Sequence, residues 1–127
     1  MKVSNLLFAG ILLIAMACNS DDEGTTIEER QSQLLLLNDQ IQDLIADKRC
    51  NGIGDCASIA FGSKACGGPK EYLVYAPSTV DESILKEMVD RYNALEKELN
   101  ELTGAVSTCE VIGPPELFCD DNVCIGR

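Results

Sequence analysis

The chain has 127 residues, with 10 basic and 21 acidic side chains, a net charge of −11 and no histidine. That balance speaks against nucleic acid as a partner, because Lys and Arg must neutralise its phosphates, and against charge-driven attachment to anionic lipid. Without histidine there is no Ser-His-Asp triad, no Cys-His pair and no imidazole general base, so an enzyme is not expected.

Met1-Lys2 opens the chain with one positive side chain, and Leu6 to Ala17 is almost wholly apolar. A charged start followed by a short apolar run has the form of an export signal. A stable membrane-spanning helix needs about 20 such residues, and this run gives way to Asn19 and an acidic stretch. The junction Ile14-Ala15-Met16-Ala17-Cys18 resembles a bacterial lipobox. The resemblance implies cleavage before Cys18 and a lipid on that cysteine, with several acyl chains contributing roughly 0.8 kcal/mol per buried CH₂. Asn19 to Glu23 resembles the acidic signal that sends Bacteroidetes lipoproteins to the outer face of the outer membrane. The implied location is the cell envelope: lipid-anchored, on the outer membrane and surface-exposed. The expected organisation is a signal peptide over 1–17, a lipidated tether over 18–25 and a single disulfide-stabilised domain over 26–127.

Residues 1–17 carry one charge, Lys2, so the remaining 110 residues hold 9 basic and 21 acidic side chains, a net charge of −12. Six cysteines remain besides Cys18: Cys50, Cys56, Cys66, Cys109, Cys119 and Cys124. An even number in a small exported domain implies three disulfides, with about 15 connectivities open, each contributing about 2–4 kcal/mol. The cysteines form no CxxC pair and have no histidine beside them, so neither zinc nor another metal or cofactor is expected.

Thr26-Ile27-Glu28-Glu29 has the form of a capping box and starts a helix expected over Ile27–Lys48. Leu34, Leu37, Ile41 and Leu44 make its apolar stripe, widened by Leu35, Leu36 and Ile45. Lys48 and Arg49 suit its C-terminal dipole, and Asn51-Gly52 stops it. Residues 50–70, with three cysteines and five glycines, read as a cross-linked irregular segment containing a short apolar stretch, Ala57 to Phe61. Tyr72 to Tyr75 reads as a strand. After Pro77, Ser78 or Thr79 can cap a second helix, with Asp81 and Glu82 three residues on.

That helix is expected over Val80–Leu102, about 33 Å long. Its stripe is Leu85, Met88, Tyr92, Leu95, Leu99 and Leu102, and Gly104 is its stop. The two helices should pack on each other with Leu73 or Val74 contributing. Pairing of the second helix with its copy in another chain is the rival, because the 3-4 spacing persists over nearly three heptads. Cys109 to Ile112 reads as a short strand interrupted by Pro114-Pro115. Leu117 to Cys119 and Val123 to Ile125 flank a tight turn at Asp120-Asp121-Asn122. The fold class is α+β: two long amphipathic helices packed with a small disulfide-linked β region.

The stretch with most chemical character is Gly62 to Tyr72. Gly67-Gly68 can offer backbone N–H groups to an anion, Lys64 and Lys70 add positive charge, and Tyr72 can stack on a ligand. These five are the candidate binding residues. The plain alternative is a glycine turn closed by a disulfide, with solvated lysines and a packed tyrosine. A Ser58–Lys64 or Ser63–Lys64 pair, or calcium at Asp120 to Asn122, is weaker still: the latter lacks the glycine and distal glutamate of a calcium loop.

The segment Lys64 to Tyr75, with Cys-Gly-Gly-Pro-x-x-Tyr at its centre, then Arg91-Tyr92-Asn93, Ser107 to Cys109 and the terminal Cys119 and Cys124, resembles a widespread group of small exported cysteine-rich bacterial proteins. The resemblance covers most of residues 50–127. It implies a stable exported module and brings no catalytic residues. Cys66-Gly67 and Tyr72 also echo Kazal-type protease inhibitors, but that family has cysteines in and just after its helix, and none lies here between Cys66 and Cys109. The expected function is a non-enzymatic envelope module that binds or assembles with another envelope protein. The alternative is an inhibitor of a secreted protease or other hydrolase acting through Gly67 to Tyr72.

Overall fold

Thr26 starts the first helix through both arms of its capping box: Glu29 N–H donates to Thr26 Oγ1 at 3.2 Å, and Thr26 N–H donates to Glu29 Oε2 at 2.9 Å. The computed structural model describes residues 26–127, so the expected signal peptide, the lipid on Cys18 and residues 18–25 of the tether lie outside the described residues. The elements in order are α1 (Ile27–Leu44), a single 3-10 turn (Ile53–Asp55), β1 (Ala57–Phe61), β2 (Glu71–Tyr75), α2 (Glu82–Thr103), β3 (Leu117–Asp120) and β4 (Val123–Gly126). The class is α+β.

Helix α1 ends at Leu44, short of the expected Lys48, because the backbone beyond it is committed elsewhere. Ile45 turns into the core, with 1% of its surface exposed. Lys48 to Cys50 then run beside the last hairpin: Cys124 N–H donates to Lys48 O at 2.8 Å and Cys50 N–H to Asn122 O at 3.0 Å. Lys48 and Arg49 therefore do not serve the helix end; Arg49 pairs with Asp47 and holds that carboxyl below its ordinary range through their hydrogen bonds. Leu34, Leu37 and Ile41 are buried as expected, but Leu35 and Leu36 are 69% and 60% exposed. Successive helical residues are about 100° apart, so four consecutive leucines cannot share one buried face.

Two antiparallel hairpins complete the fold. Strand β1, expected as part of an irregular segment, pairs with β2 in the register Ala57↔Tyr75 to Phe61↔Glu71. The pairing places Leu73 and Tyr75 in the core. Strands β3 and β4 pair as Leu117↔Gly126 to Asp120↔Val123. Asp121 and Asn122 make their turn with φ of 48° and 62°, as a two-residue loop matching strand twist requires. The hairpin closes on β2: a Cβ at Gly126 would lie 2.9 Å from Val74 Cγ2. The expected strand at Cys109 to Ile112 does not form. Ala105 to Glu116 runs without helix, strand, turn or bend.

Asp81 caps α2 instead of Ser78 or Thr79, its Oδ1 accepting from Ser83 N–H at 3.0 Å and Ile84 N–H at 3.2 Å. Thr79 closes a turn on the carbonyl of Ala76 instead. At the other end Gly104 adopts φ 62°, the left-handed stop glycine makes cheaply. The face α2 buries is rotated from the expected stripe. Leu85, Val89 and Glu96 are buried, Leu95 and Leu99 are half-buried, and Leu102 is 57% exposed. The main core joins Leu37, Ile41 and Ile45 of the first helical segment to Phe61, Leu73, Tyr75, Val80, Leu85 and Val89. Phe61 stacks on Tyr92 with ring centroids 4.2 Å apart. A second, smaller core surrounds Cys50, Cys56, Ala76 and Cys124.

The three disulfides are Cys50–Cys119, Cys56–Cys124 and Cys66–Cys109, spanning 69, 68 and 43 residues of sequence. The first two tie the last hairpin to the 3-10 turn region. The third ties the Gly62–Lys70 loop to the 105–116 segment.

Candidate protein-binding site

The C-terminal half of α2 explains why its buried face turns polar. Asn93, Glu96 and Asn100 follow one another at helical spacing and meet the loop after β1 instead of α1. Asn93 Oδ1 accepts from Gly62 N–H at 2.7 Å. Glu96 Oε2 accepts from Ser63 N–H at 2.6 Å, and its Oε1 pairs with Lys70 Nζ. Asn100 Nδ2 donates to Ser63 O at 2.8 Å. A loop has no regular partner for its backbone groups, and leaving them unpaired against a helix costs about 1–3 kcal/mol each; three side chains supply the partners.

Among the described residues the buried charged side chains are Lys64 and Glu96, at 8% and 7% exposure. Both belong to this loop. Lys64 is fastened at every polar group: its N–H donates to Gly68 O, its carbonyl accepts from Gly67 N–H at 2.9 Å, and its Nζ donates to Glu110 O. Cys66 N–H donates to Ser107 Oγ at 3.0 Å. With the Cys66–Cys109 bridge, these contacts hold the 105–113 segment against the loop at Ser107, Cys109 and Glu110. Val106 and Val111, on either side of those ties, are 94% and 93% exposed.

Of the expected binding residues, Lys64, Gly67 and Gly68 come together. They line a cleft of about 550 Å³ with Lys97, Asn100 and Gly104. Gly67 and Gly68 are exposed, with φ of 104° and 79°. The Gly67 N–H is spent on Lys64, so the expected anion cradle loses one of its two donors. Lys70 and Tyr72 stand apart from the cleft: Lys70 faces Glu96, and Tyr72 sits half-buried on β2 opposite Ala60. Gly62 is the glycine this loop cannot replace, with φ 79° and space for a Cβ already taken at 2.9 Å by Lys70 Cβ. Ser58 and Ser63 gain no lysine partner, because Lys64 Nζ turns to Glu110. Asp121 and Asn122 are the turn of the last hairpin.

Residues that sequence reasoning passed over are Asn93, Glu96, Asn100, Ser107 and Glu110. For Asn93, Glu96 and Asn100 the one advance signal is polar residues at helical spacing on α2, which a stripe of leucines beside them overshadows; Ser107 and Glu110 lie beyond α2 and carry no such signal. The sulfurs of Cys50, Cys56 and Cys124 lie within 4.8 Å of one another, but all three are consumed in disulfides and none is a thiolate for a metal. The phenol of Tyr75 is pushed up to about 12 by burial and by its hydrogen bond to Glu82 at 2.7 Å. Tyr92 is raised by burial, with the charges of Glu96 and Glu71 adding to it. No known protein family matches the chain, and no curated protein or solved structure matches it.

Proposed function

We propose that the chain is an exported lipoprotein of the cell envelope, anchored by lipid on Cys18 at the outer membrane and surface-exposed, that works as a non-enzymatic protein-binding or assembly module. The observation that carries the binding role is the covalently tied edge formed by the Ser63–Lys70 loop and the 105–113 segment. No backbone N–H from Val106 to Gly113 donates within the described residues, and two aliphatic side chains there project into solvent. An ordered edge with unspent backbone donors is ready to bind another protein, because little ordering entropy is left to lose. The two helices, 18 and 22 residues long, act as long amphipathic supports behind this edge. Three long-range disulfides suit an oxidising compartment, in keeping with the Ile14 to Cys18 junction.

The experiment has two arms in cells that make the full chain. Cys18→Ser should move the protein out of the membrane fraction; unchanged membrane recovery overturns the anchor. A photo-crosslinking residue at Val106 should give a discrete adduct with another envelope protein, and the same residue at Glu98 on α2 should give none. No adduct at Val106 overturns the binding edge.

One observation favours a second reading, inhibition of a secreted hydrolase. The unbent 105–116 segment, tied at its middle, presents an exposed chain as a substrate does. Here the presenting segment is 105–113 and not Gly67 to Tyr72. Stoichiometric inhibition across a panel of secreted proteases, lost in Val106→Asp, supports it, and uninhibited proteases remove it.

A further inference from the structure

The three bridges differ in their surroundings. Cys50, Cys56 and Cys124 are 4%, 9% and 2% exposed, and Cys119 is half-buried. Cys66 and Cys109 are both exposed. Cys66 lines the cleft of about 550 Å³ and is followed by Gly67 and Gly68, which have no side chains to block an approach. We infer that Cys66–Cys109 is a thiol–disulfide exchange site whose substrate is an external dithiol, and that opening it unlatches the 105–116 segment while the core stays folded.

Exchange begins when a thiolate reaches a disulfide sulfur, so access governs its rate. The buried bridges can be reached only after the protein opens around them; the exposed bridge needs no such opening. The buried bridges also protect each other. Cys119 and Cys124 face each other on one hairpin, so when either bridge opens, the other keeps the freed thiols close and favours re-closure. Cys66 and Cys109 have no neighbouring bridge. An incoming thiolate attacks Cys66 Sγ, the S–S bond breaks, and Cys109 leaves as a thiolate that takes up a proton. The second sulfur of the dithiol, deprotonated, attacks the mixed disulfide and releases Cys66, which is protonated in turn. The dithiol is oxidised to its disulfide, and Cys66 and Cys109 are reduced to thiols.

The bridge holds a segment that little else holds. Every residue from Glu101 to Pro114 is exposed, and neither apolar core contains a residue of 62–70 or 105–116. Among the described residues, the hydrogen bonds tying the segment to the loop are Cys66 N–H to Ser107 Oγ and Lys64 Nζ to Glu110 O. The loop keeps its own anchor, because Glu96 and Asn100 of α2 hold Ser63. Opening the bridge therefore frees the segment and leaves the loop on α2. That it also dissolves a binding edge rests on the reading given under the proposed function.

Timed exposure of the oxidised full chain to dithiothreitol, followed by alkylation and peptide mapping, tests the site. Cys66 and Cys109 should be alkylated together, at least about tenfold faster than Cys50, Cys56, Cys119 and Cys124. At that stage amide exchange at Cys66 should quicken, while Ser63 and Val89 stay slow. Cys66→Ser with Cys109→Ser should reproduce the quick exchange at position 66, keep the helical circular dichroism and form the other two bridges. Either buried bridge opening as fast as Cys66–Cys109 overturns the exchange site. A Cys66 amide that stays slow after its bridge opens overturns the latch, as does a double variant that loses its helices or its other bridges. Mild reduction should also abolish the photo-crosslinked adduct from Val106; an undiminished adduct overturns the latch as a control of binding. The alkylation and exchange measurements need no partner and no membrane, so their failure is distinct from failure of the anchor or of the Val106 edge.

Discussion

Cys119 and Cys124 face each other directly across the β3–β4 hairpin, yet they are not bonded to each other. Cys119 reaches Cys50 with a Cα separation of 6.0 Å, and Cys124 reaches Cys56 at 5.5 Å. Two neighbouring bridges thus bind one short hairpin to the two ends of one short turn. Once either is closed, the other closes only the small ring made by residues 50–56 and 119–124.

That geometry makes the two bridges non-additive. In the chain-entropy account, a ring of about a dozen residues contributes about 3 kcal/mol, and one of nearly 70 contributes about 4 kcal/mol. Replacing both cysteines of either bridge by alanine should cost about 3 kcal/mol. Replacing all four should cost about 7 kcal/mol, more than twice the single loss. Urea midpoints of the three proteins measure this, and peptide mapping without reductant should recover the two long-range pairs and Cys66–Cys109.

The rotated face of α2 moves the burden of stability. Ile41 and Leu85 are fully buried, whereas Leu95 is half-buried. Ile41→Ala and Leu85→Ala should each cost about 2–5 kcal/mol, from lost transfer energy and the cavity left behind. Leu95→Ala, at the rim, should cost about 1 kcal/mol. Denaturant melts that rank Leu95 above Leu85 would show that the core is centred on the leucine stripe after all.

Glu96 is the polar anchor of the loop and should be sensitive to how it is replaced. Glu96→Ala strips a hydrogen bond from Ser63 N–H and the pairing from Lys70, at an expected cost of about 1–3 kcal/mol. Glu96→Gln keeps an acceptor for Ser63 and should cost less. Lys70→Ala should cost under about 1 kcal/mol, since that side chain is half exposed and such pairs are weak. Amide exchange at Ser63 should quicken in Glu96→Ala and stay slow in Lys70→Ala.

Tyr75 gives the fold a limit at high pH. Burial and the hydrogen bond to Glu82 push its phenol up to about 12 in the folded protein, against an ordinary value of about 10. The unfolded chain therefore releases this proton first as pH rises, and the unfolded state gains. The contribution of Tyr75 is fully present below pH 10 and is lost between 10 and 12. Tyr92 shifts the same way. Stability measured across that window should fall, and Tyr75→Phe should flatten the fall. An equal slope in the variant would assign the loss to other groups.

The parts of the fold legible in the sequence were those set by local chemistry. Thr26 and Glu29 announce a capping box because both partners lie within one helical turn. Asp120-Asp121-Asn122 announces a tight turn because Asp and Asn tolerate positive φ, and the structure narrows it to Asp121 and Asn122; Gly104 announces a helix stop for the same reason. The count of six cysteines besides Cys18 implies three bridges, because an even set of thiols in an oxidising environment pairs.

Tertiary structure decided what depends on residues distant in sequence. Which cysteines pair follows from the β3–β4 hairpin meeting residues 50–56. The end of α1 follows from Lys48 and Cys50 giving their backbone groups to that same hairpin. The leucine spacing of α2 was legible, but helical spacing cannot say how far along its length a helix is covered by apolar neighbours. The covering changes from α1 and the β1–β2 hairpin to a polar loop, so Asn93, Glu96 and Asn100 turn inward and Leu102 outward. Lys64 looked like a free cation by type alone. It is buried because a carbonyl 46 residues away, on Glu110, is brought to its ammonium by the Cys66–Cys109 bridge.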